Sequence, residues 1–304
     1  MLQWLRLEVL MQLLSKDRPF YKGNLHMHTV ASDGELTLDQ AAALYHGMGY
    51  DFIAITDHRR RSCATHFHKN MLVLAGIEFD FYLVNQVIHI LGIGVDDGLA
   101  EANMAHYSPQ GAVNRIKAGG GLAVLAHPAW SLNTTETICG LQGIEAAEIY
   151  NAVSRPPYSG DRADSMALLD TAAAQGKVLN TLATDDSHYY TGDEGCGFIR
   201  LQAEELSEKG VMQALRQGSY HASTGPEIYD LRYEDGVIHL QCSPAKHIVF
   251  LSNLPWRPGR NFTGNGITSA YYKPSRNGRV LEAFVRAVVI DENGRKAWAN
   301  PIRF

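Results

Sequence analysis

Between Gly23 and Gly225 the chain alternates short apolar runs with stretches of helical period. Runs at residues 24–30, 51–56, 71–79, 87–95, 122–126, 144–150, 178–183 and 197–201 have the length and composition of buried strands. Helices are predicted from Thr37, near 109–118, over 162–174 and near 209–217. The first opens with Thr37 and Gln40 at capping-box spacing, where hydroxyl and amide satisfy orphan N–H groups, and stops at Gly47 and Gly49. The second stops at Gly119-Gly120-Gly121. Strands alternating with helices predict an α/β fold, a parallel sheet with crossover helices. About seven such units favour a barrel over an open sheet, although periodicity alone does not choose between them.

After Gly225-Pro226 the pattern changes. Alternating runs at 237–242, 247–251 and 280–290 are separated by turn signals at Glu234-Asp235-Gly236, Pro258-Gly259, Asn277-Gly278 and Glu292-Asn293-Gly294. The expected organisation is a packing segment at residues 1–20, the α/β unit at 21–226, and a small antiparallel β domain at 227–304.

Composition narrows the function classes. Of 304 residues, 45% are apolar and 19% charged, enough for a full core, which excludes global disorder. A net charge of −5 offers no broad basic face, so no stable nucleic-acid complex is expected. Cys63, Cys139, Cys196 and Cys242 lie far apart with no C-x-x-C, which excludes a thiolate knuckle and fits reduced thiols. The apolar stretch at 1–14 is interrupted by Arg6 and Glu8, lacks a small-residue cleavage site and is too short to span a bilayer. A cytoplasmic protein with no membrane partner is expected, its oligomeric state not readable. The unusual count is histidine, 13 in all.

Those histidines are not scattered. His26 and His28 are two apart, which on a strand puts both imidazoles on one face. The next predicted strands end in Asp57-His58 and in Glu78; His89 lies in the run after that; later ones end in His127 and in Asp185-Asp186-Ser187-His188. The C-terminal ends of parallel strands are where α/β folds place active sites. So many polar groups over one core are costly unless compensated, and a polynuclear metal site compensates them. Nitrogen and carboxylate donors without thiolate suit Zn, Mn or Fe.

The order of these motifs resembles the PHP (polymerase and histidinol phosphatase) superfamily. It is carried by His26-Met27-His28, Thr56-Asp57-His58, Gly76-Ile77-Glu78, His89, Ala126-His127-Pro128 and Asp186-Ser187-His188. Tyr21-Lys22-Gly23-Asn24-Leu25-His26, Ser32-Asp33-Gly34, Ala222-Ser223-Thr224-Gly225-Pro226 and Trp298-Ala299-Asn300-Pro301-Ile302 look like its stand-alone metal-dependent phosphoesterase branch. The resemblance implies a distorted (β/α)7 barrel holding two or three divalent metal ions. It implies His26, His28, Glu78 and Asp186 on one metal, Glu78 bridging to a second held by His89 and His127, and Asp33, His58 and His188 on a third. Asp33 stands where relatives often carry histidine. Asp185 competes with Asp186, and the D-x-H spacing puts Asp186 on the face of His188.

The expected chemistry is hydrolysis of a phosphate ester of a small metabolite or nucleotide. Water between two metals is acidified to hydroxide, and the metals neutralise phosphoryl oxygens. Glu78, Asp186, His188 and Asp57 are the candidate catalytic residues, Asp57 either orienting a ligand or donating a proton to the leaving group. Arg59 or Arg155 is expected to contact substrate. His66-Phe67-His68 shares the H-x-H spacing but follows a charged stretch, and it is set aside with His46, His106, His221, His239 and His247. Gly119-Gly120-Gly121 opens no phosphate-binding helix. Metal-dependent hydrolysis of a C–N bond is the alternative, because fold does not settle function.

Overall fold

A computed structural model of the chain describes residues 10–99, 107–276 and 281–304. His106, the Asn277-Gly278 turn and the start of the N-terminal segment lie outside the described residues. In chain order the regular elements are β1 (Met11–Leu14), β2 (Phe20–Asn24), α1 (Leu38–Gly47), β3 (Phe52–Ile55), β4 (His66–His68), β5 (Met71–Tyr82), β6 (Val87–Ile93), α2 (Pro109–Ala118), β7 (Leu122–Leu125), α3 (Thr135–Gly140) and β8 (Ala146–Asn151). They continue with α4 (Met166–Ala174), β9 (Asn180–Thr184), β10 (Phe198–Gln202), α5 (Glu208–Gln217), β11 (Tyr220–Ser223), β12 (Ile228–Glu234), β13 (Val237–Ser252), β14 (Asn261–Tyr272), β15 (Phe284–Ile290), β16 (Lys296–Ala299) and β17 (Ile302–Arg303).

Local chemistry sets the helix ends. Both halves of the capping box form at α1: Gln40 N donates to Thr37 Oγ1 at 3.3 Å, and Thr37 N donates to Gln40 Oε1 at 2.9 Å. Ser108 and Ser207 supply one half of this arrangement at α2 and α5, their hydroxyls accepting from Gly111 N and Gly210 N. α5 ends at Gly218, whose φ of 73° is left-handed and suits a residue without a Cβ.

The fold is mixed α/β. β2 pairs with β3 and β3 with β5 in parallel, as do β7 with β8 and β8 with β9. β5 and β6 run antiparallel across the link from Tyr82 to Val87, which is too short for a crossover helix, and β6 is antiparallel to β7 as well. A (β/α)7 barrel is therefore not confirmed. The sheet is not closed: between β9 and β2 no ladder forms among the described residues, and the isolated bridge Met27–Ser187 spans the gap. β10 runs antiparallel to both β2 and β11.

β11 pairs with β16, and through β15 and β13 the hydrogen bonding continues into the antiparallel strands of the C-terminal region. Runs expected as two strands at 237–242 and 247–251 form one 16-residue strand, β13, bent by register shifts where it changes partners. β14 has no apolar run and was not foreseen; it pairs along β13 with most of its residues exposed. β1 pairs with β12.

Two apolar layers matter for the site. Leu25, Phe52, Leu72, Leu74, Leu91, Val124, Leu182 and Ile199 form one packed cluster. On another face Ile77, Phe79 and Ile90 pack with Val113 and Ile116 of α2 and Leu169 of α4. Held on both faces, the strand ends have little freedom to move. Among the described residues no helix is long and apolar enough to cross a membrane.

Candidate metal centre

The His26-Met27-His28 motif lies just beyond the β2 ladder but keeps strand alternation. Leu25 and Met27 enter apolar clusters, while both imidazoles are fully buried in the opposite sense. Two backbone bonds tie this segment to the chain after β9: Asp186 N to His26 O at 2.9 Å and His28 N to Ser187 O at 3.0 Å. The first and last motifs therefore sit side by side.

Four side chains converge on one point. His26 Nε2 lies 3.0 Å from Asp186 Oδ1 and 3.2 Å from Glu78 Oε2. His28 Nε2 is 3.1 Å from each of the same two oxygens. Glu78 turns its other oxygen to a second cluster, with His89 Nδ1 at 2.9 Å and His127 Nε2 at 3.4 Å. A third gathers around Asp33: His28 Nδ1 at 3.4 Å, and His58 Nε2 and His188 Nε2 each at 3.6 Å. Each group has the size to hold a metal ion.

The donors fit a cation better than one another. Asp186 Oδ1 and His58 Nδ1 are buried with no directed hydrogen bond, although His26 Nε2 stands 3.0 Å from the first and Glu78 Oε2 3.3 Å from the second. Such orphans are costly unless a further group completes them. Burial opposes charge on Glu78, yet His26, His58, His89 and His127 hold its carboxyl well below the usual range. Burial likewise opposes charge on Asp186, and His26, His28, His188 and His127 hold its carboxyl down. Conversely, burial disfavours a proton on His28, but Asp186 and Glu78 raise it to about 9. His26 is raised in the same way by Asp186, Glu78 and Glu148. At His26 and His28 the carboxylates thus outweigh burial, whereas at His58, with the like charges of His28 and His89 nearby, burial prevails and lowers it.

Backbone strain accompanies the ligands. Asp186 has φ 54°, His127 φ 26° and Arg59 φ 61°. Non-glycine residues rarely take these values, which cluster at functional sites.

Glu148, on β8, was not among the sequence candidates. Fully buried, it faces His26 Nδ1 and Thr184 Oγ1 with one oxygen, both at 2.7 Å. Its other oxygen accepts from His127 N at 2.7 Å and Asn151 Nδ2 at 2.8 Å. Asn151 Nδ2 also reaches Asp186 Oδ2 at 3.1 Å. A proton on His26 Nδ1 leaves its Nε2 lone pair aimed at the convergence point. The one sequence signal was a carboxylate inside a predicted buried strand. Ser131 Oγ serves His127 Nδ1 at 2.9 Å, and the Asp186 carbonyl serves His188 Nδ1 at 2.8 Å.

The other candidates fall in varied places. Asp185 points away from the cluster, accepting from Tyr45 Oη and the N–H groups of Gly195, Cys196 and Gly197 at 2.7–2.8 Å; burial pushes its carboxyl up to about 6. Asp57 accepts from Thr29 N, Thr29 Oγ1 and Ser32 Oγ, and so holds the turn that carries Asp33. Arg59 pairs with buried Asp80 through two nitrogens. Arg155 bonds to Gly192 O and Cys196 Sγ and lines a different pocket, with Arg295 and Lys296. His66 and His68 prove to lie on a short strand, β4, which pairs with β5 at its far end and leaves His66 exposed. Their charged flank hid this because an edge strand needs no apolar run.

A pocket of about 260 Å³ opens over the cluster, lined by Asp33, His58, Glu78, His89, Asp186 and His188 together with an aromatic rim. Among the described residues no Lys or Arg lines it.

No family model and no curated protein matches the sequence. Among solved structures, the chain is similar to a two-domain protein from Bacteroides vulgatus containing a predicted PHP-like metal-dependent phosphoesterase. The TM-score is 0.54, with 14% identity over 96% of each chain. The chain therefore shares the fold of that two-domain protein along nearly its full length. Two other matches have a TM-score of 0.42 and 16% identity. One is an amidohydrolase from Chromobacterium violaceum with bound sulfate and no metal, covering 56% of this chain and 89% of that one. The other, from Bifidobacterium adolescentis, is provisionally named a metal-dependent phosphoesterase and covers 64% and 96%.

Proposed function

We propose that this chain is a metal-dependent phosphoesterase of the PHP type, hydrolysing a phosphate ester of a small metabolite or nucleotide. The observation that carries the reading is Glu78: its two carboxylate oxygens face two separate histidine groups, 3.1–3.2 Å on one side and 2.9–3.4 Å on the other. Such a bridging carboxylate is what a polynuclear centre requires.

In this reading His26, His28, Glu78 and Asp186 hold one ion, Glu78, His89 and His127 a second, and Asp33, His58 and His188 a third. Zn, Mn or Fe suits the donors. Bound, the ions acidify water and neutralise phosphoryl charge. The chain's own residues do the rest. Glu148 fixes the tautomer of His26 and the position of His127. Asp57 keeps the Thr29–Asp33 turn in place, an orienting role, with its oxygens already engaged. In the net reaction the P–O bond to the leaving group breaks, the oxygen of water joins phosphorus, and a proton passes to the departing alcohol. The catalytic unit spans residues 21–226, with 227–304 as an accessory β unit; the proposed setting is cytoplasmic.

A second reading, C–N bond hydrolysis, is favoured by the lack of any lining Lys or Arg among the described residues, since a neutral amide needs no cation. The test is release of phosphate from benzyl phosphate by Mn²⁺- or Zn²⁺-loaded protein, compared with Glu78→Gln. The expected result is turnover that falls at least about 100-fold in the variant. Turnover of amides with none of any phosphate ester would select the second reading.

A further inference from the structure

The walls of the pocket above the metal cluster are aromatic. Tyr82 and Trp130 flank the His89 and His127 side, and Tyr158 and Tyr189 flank the His188 side. Trp130 lies edge-on to His127, with ring centroids 4.9 Å apart. Its indole N–H donates to Ser159 Oγ at 2.9 Å, which fixes the ring plane and links it to the loop carrying Tyr158. Tyr158 is fixed in turn by donating to Thr191 O at 2.8 Å, and it stacks on Tyr189 with centroids 5.4 Å apart and planes 11° from parallel. Tyr82, Trp130 and Tyr189 are at least 36% exposed, although large aromatic rings ordinarily seek burial.

Trp130 and Tyr158 are thus held in place, and the aromatic wall is open to solvent and adjoins the donors directly. The only charged side chains lining the pocket are those of the cluster itself, among the described residues. Arg59, the cation nearest in sequence, is already engaged by Asp80. Binding energy beyond the metal ions has to come from flat apolar contact and a few hydroxyls. Pre-fixed aromatic rings supply such contact at low entropic cost.

We infer that the substrate's leaving group carries a flat aromatic or heteroaromatic ring, seated against the arc of Tyr82, Trp130, Tyr158 and Tyr189 while the ester faces the metal cluster. This rests on the phosphoesterase reading for the identity of the ester, and on the arc alone for the ring. An open-chain or purely sugar leaving group would leave these four side chains without a role.

The test uses two phosphonates of equal charge and similar bulk, benzylphosphonate and cyclohexylmethylphosphonate, titrated into the full Mn²⁺-loaded chain by calorimetry. The corresponding phosphate esters are assayed for turnover. Aromatic stacking predicts that the benzyl compound binds at least about 5-fold more tightly. The preference should shrink towards unity in Trp130→Leu and in Tyr158→Leu. Tyr189→Leu, at a more exposed position, keeps the test available if either of those misfolds, and metal content checks that the cluster is intact. Equal affinity for the two phosphonates, or a preference that survives all three substitutions, overturns the ring assignment while turnover of the esters still supports the phosphoesterase. Turnover of neither ester, with the phosphonate preference intact, rejects the phosphoesterase reading and leaves the ring assignment standing. Binding of neither phosphonate rejects both.

Discussion

Replacing Glu148 by glutamine changes one oxygen to an amide nitrogen and almost nothing in volume. The carboxylate faces four donor groups: His26 Nδ1, Thr184 Oγ1, His127 N and Asn151 Nδ2. An amide can accept on one side only: with its NH2 turned to His127 N and Asn151 Nδ2 two donors meet a donor, and with its NH2 turned to His26 and Thr184 the hydroxyl can rotate to accept but His26 must give up its Nδ1 proton. Each buried donor left unpaired costs about 1–3 kcal/mol, so the fold should weaken measurably. The effect on the site is more specific. Without a carboxylate at Nδ1, His26 loses both its tautomer lock and part of its basicity at Nε2. Loss of such a supporting partner typically costs about 10- to 100-fold in metal affinity, or about 1.4–2.7 kcal/mol. The assay is competition for Zn²⁺ against a chromogenic chelator, with Glu145→Gln as control; Glu145 is on the loop just before β8, and among the described residues its ion pair is a weak one with Lys117 at 4.0 Å. Unchanged affinity in a folded Glu148→Gln protein would refute the positioning argument.

Three further expectations follow from single residues. Asp186→Asn should lose bound metal by elemental analysis, whereas Asp185→Asn should keep it and instead melt at lower temperature, because Asp185 serves Tyr45 and the N–H groups of Gly195, Cys196 and Gly197. His221 is buried with Nε2 accepting from Ile228 N, and burial lowers it from 6.5 to about 3. The unfolded chain therefore binds a proton below pH 6.5 that the native chain refuses, so this contribution to stability falls with pH over that window. The loss is about 2 kcal/mol between pH 7 and pH 5, and urea titration of wild type against His221→Gln should show it as a flatter dependence in the variant. Arg286 is almost fully buried, donating to Asp170 at 3.0 Å, Thr181 at 2.9 Å and Ala299 O at 3.3 Å. Arg286→Met should cost about 3 kcal/mol in urea unfolding, by leaving these acceptors unpaired where β15 meets β9 and α4.

Much of the site is legible in the sequence because metal ligands must be particular residue types at strand ends. The structure brings the nine candidate ligands together in three adjoining groups, with His28 and Glu78 each shared by two, and Glu148 joins His26 and His127 in a fourth. Residues that act through others are less visible. Glu148 looks in sequence like any carboxylate in a strand, and only folding shows that it meets His26. Arg59 and Arg155 are expected at the substrate from their position after a motif; the structure pairs Arg59 with Asp80 and Arg155 with Cys196, neither partner adjacent in sequence, and neither arginine lines the pocket over the cluster. The fold shows the same asymmetry. The helix cap at Thr37 is local and readable, whereas the antiparallel pairing of β6 with β7, despite a long connection, departs from the expected parallel sheet, because strand direction leaves no mark in apolar periodicity. The continuity of β11 with β16 is a long-range pairing of the same unreadable kind.

The central claim is that Glu78 joins two metal ions. Anomalous diffraction from crystals of the Mn²⁺- or Zn²⁺-loaded protein tests it most directly. The account predicts at least two peaks flanking Glu78, one within about 2.0–2.2 Å of each carboxylate oxygen. No peak at Glu78 in metal-loaded crystals, or a single ion that leaves His89 and His127 unliganded, would contradict it.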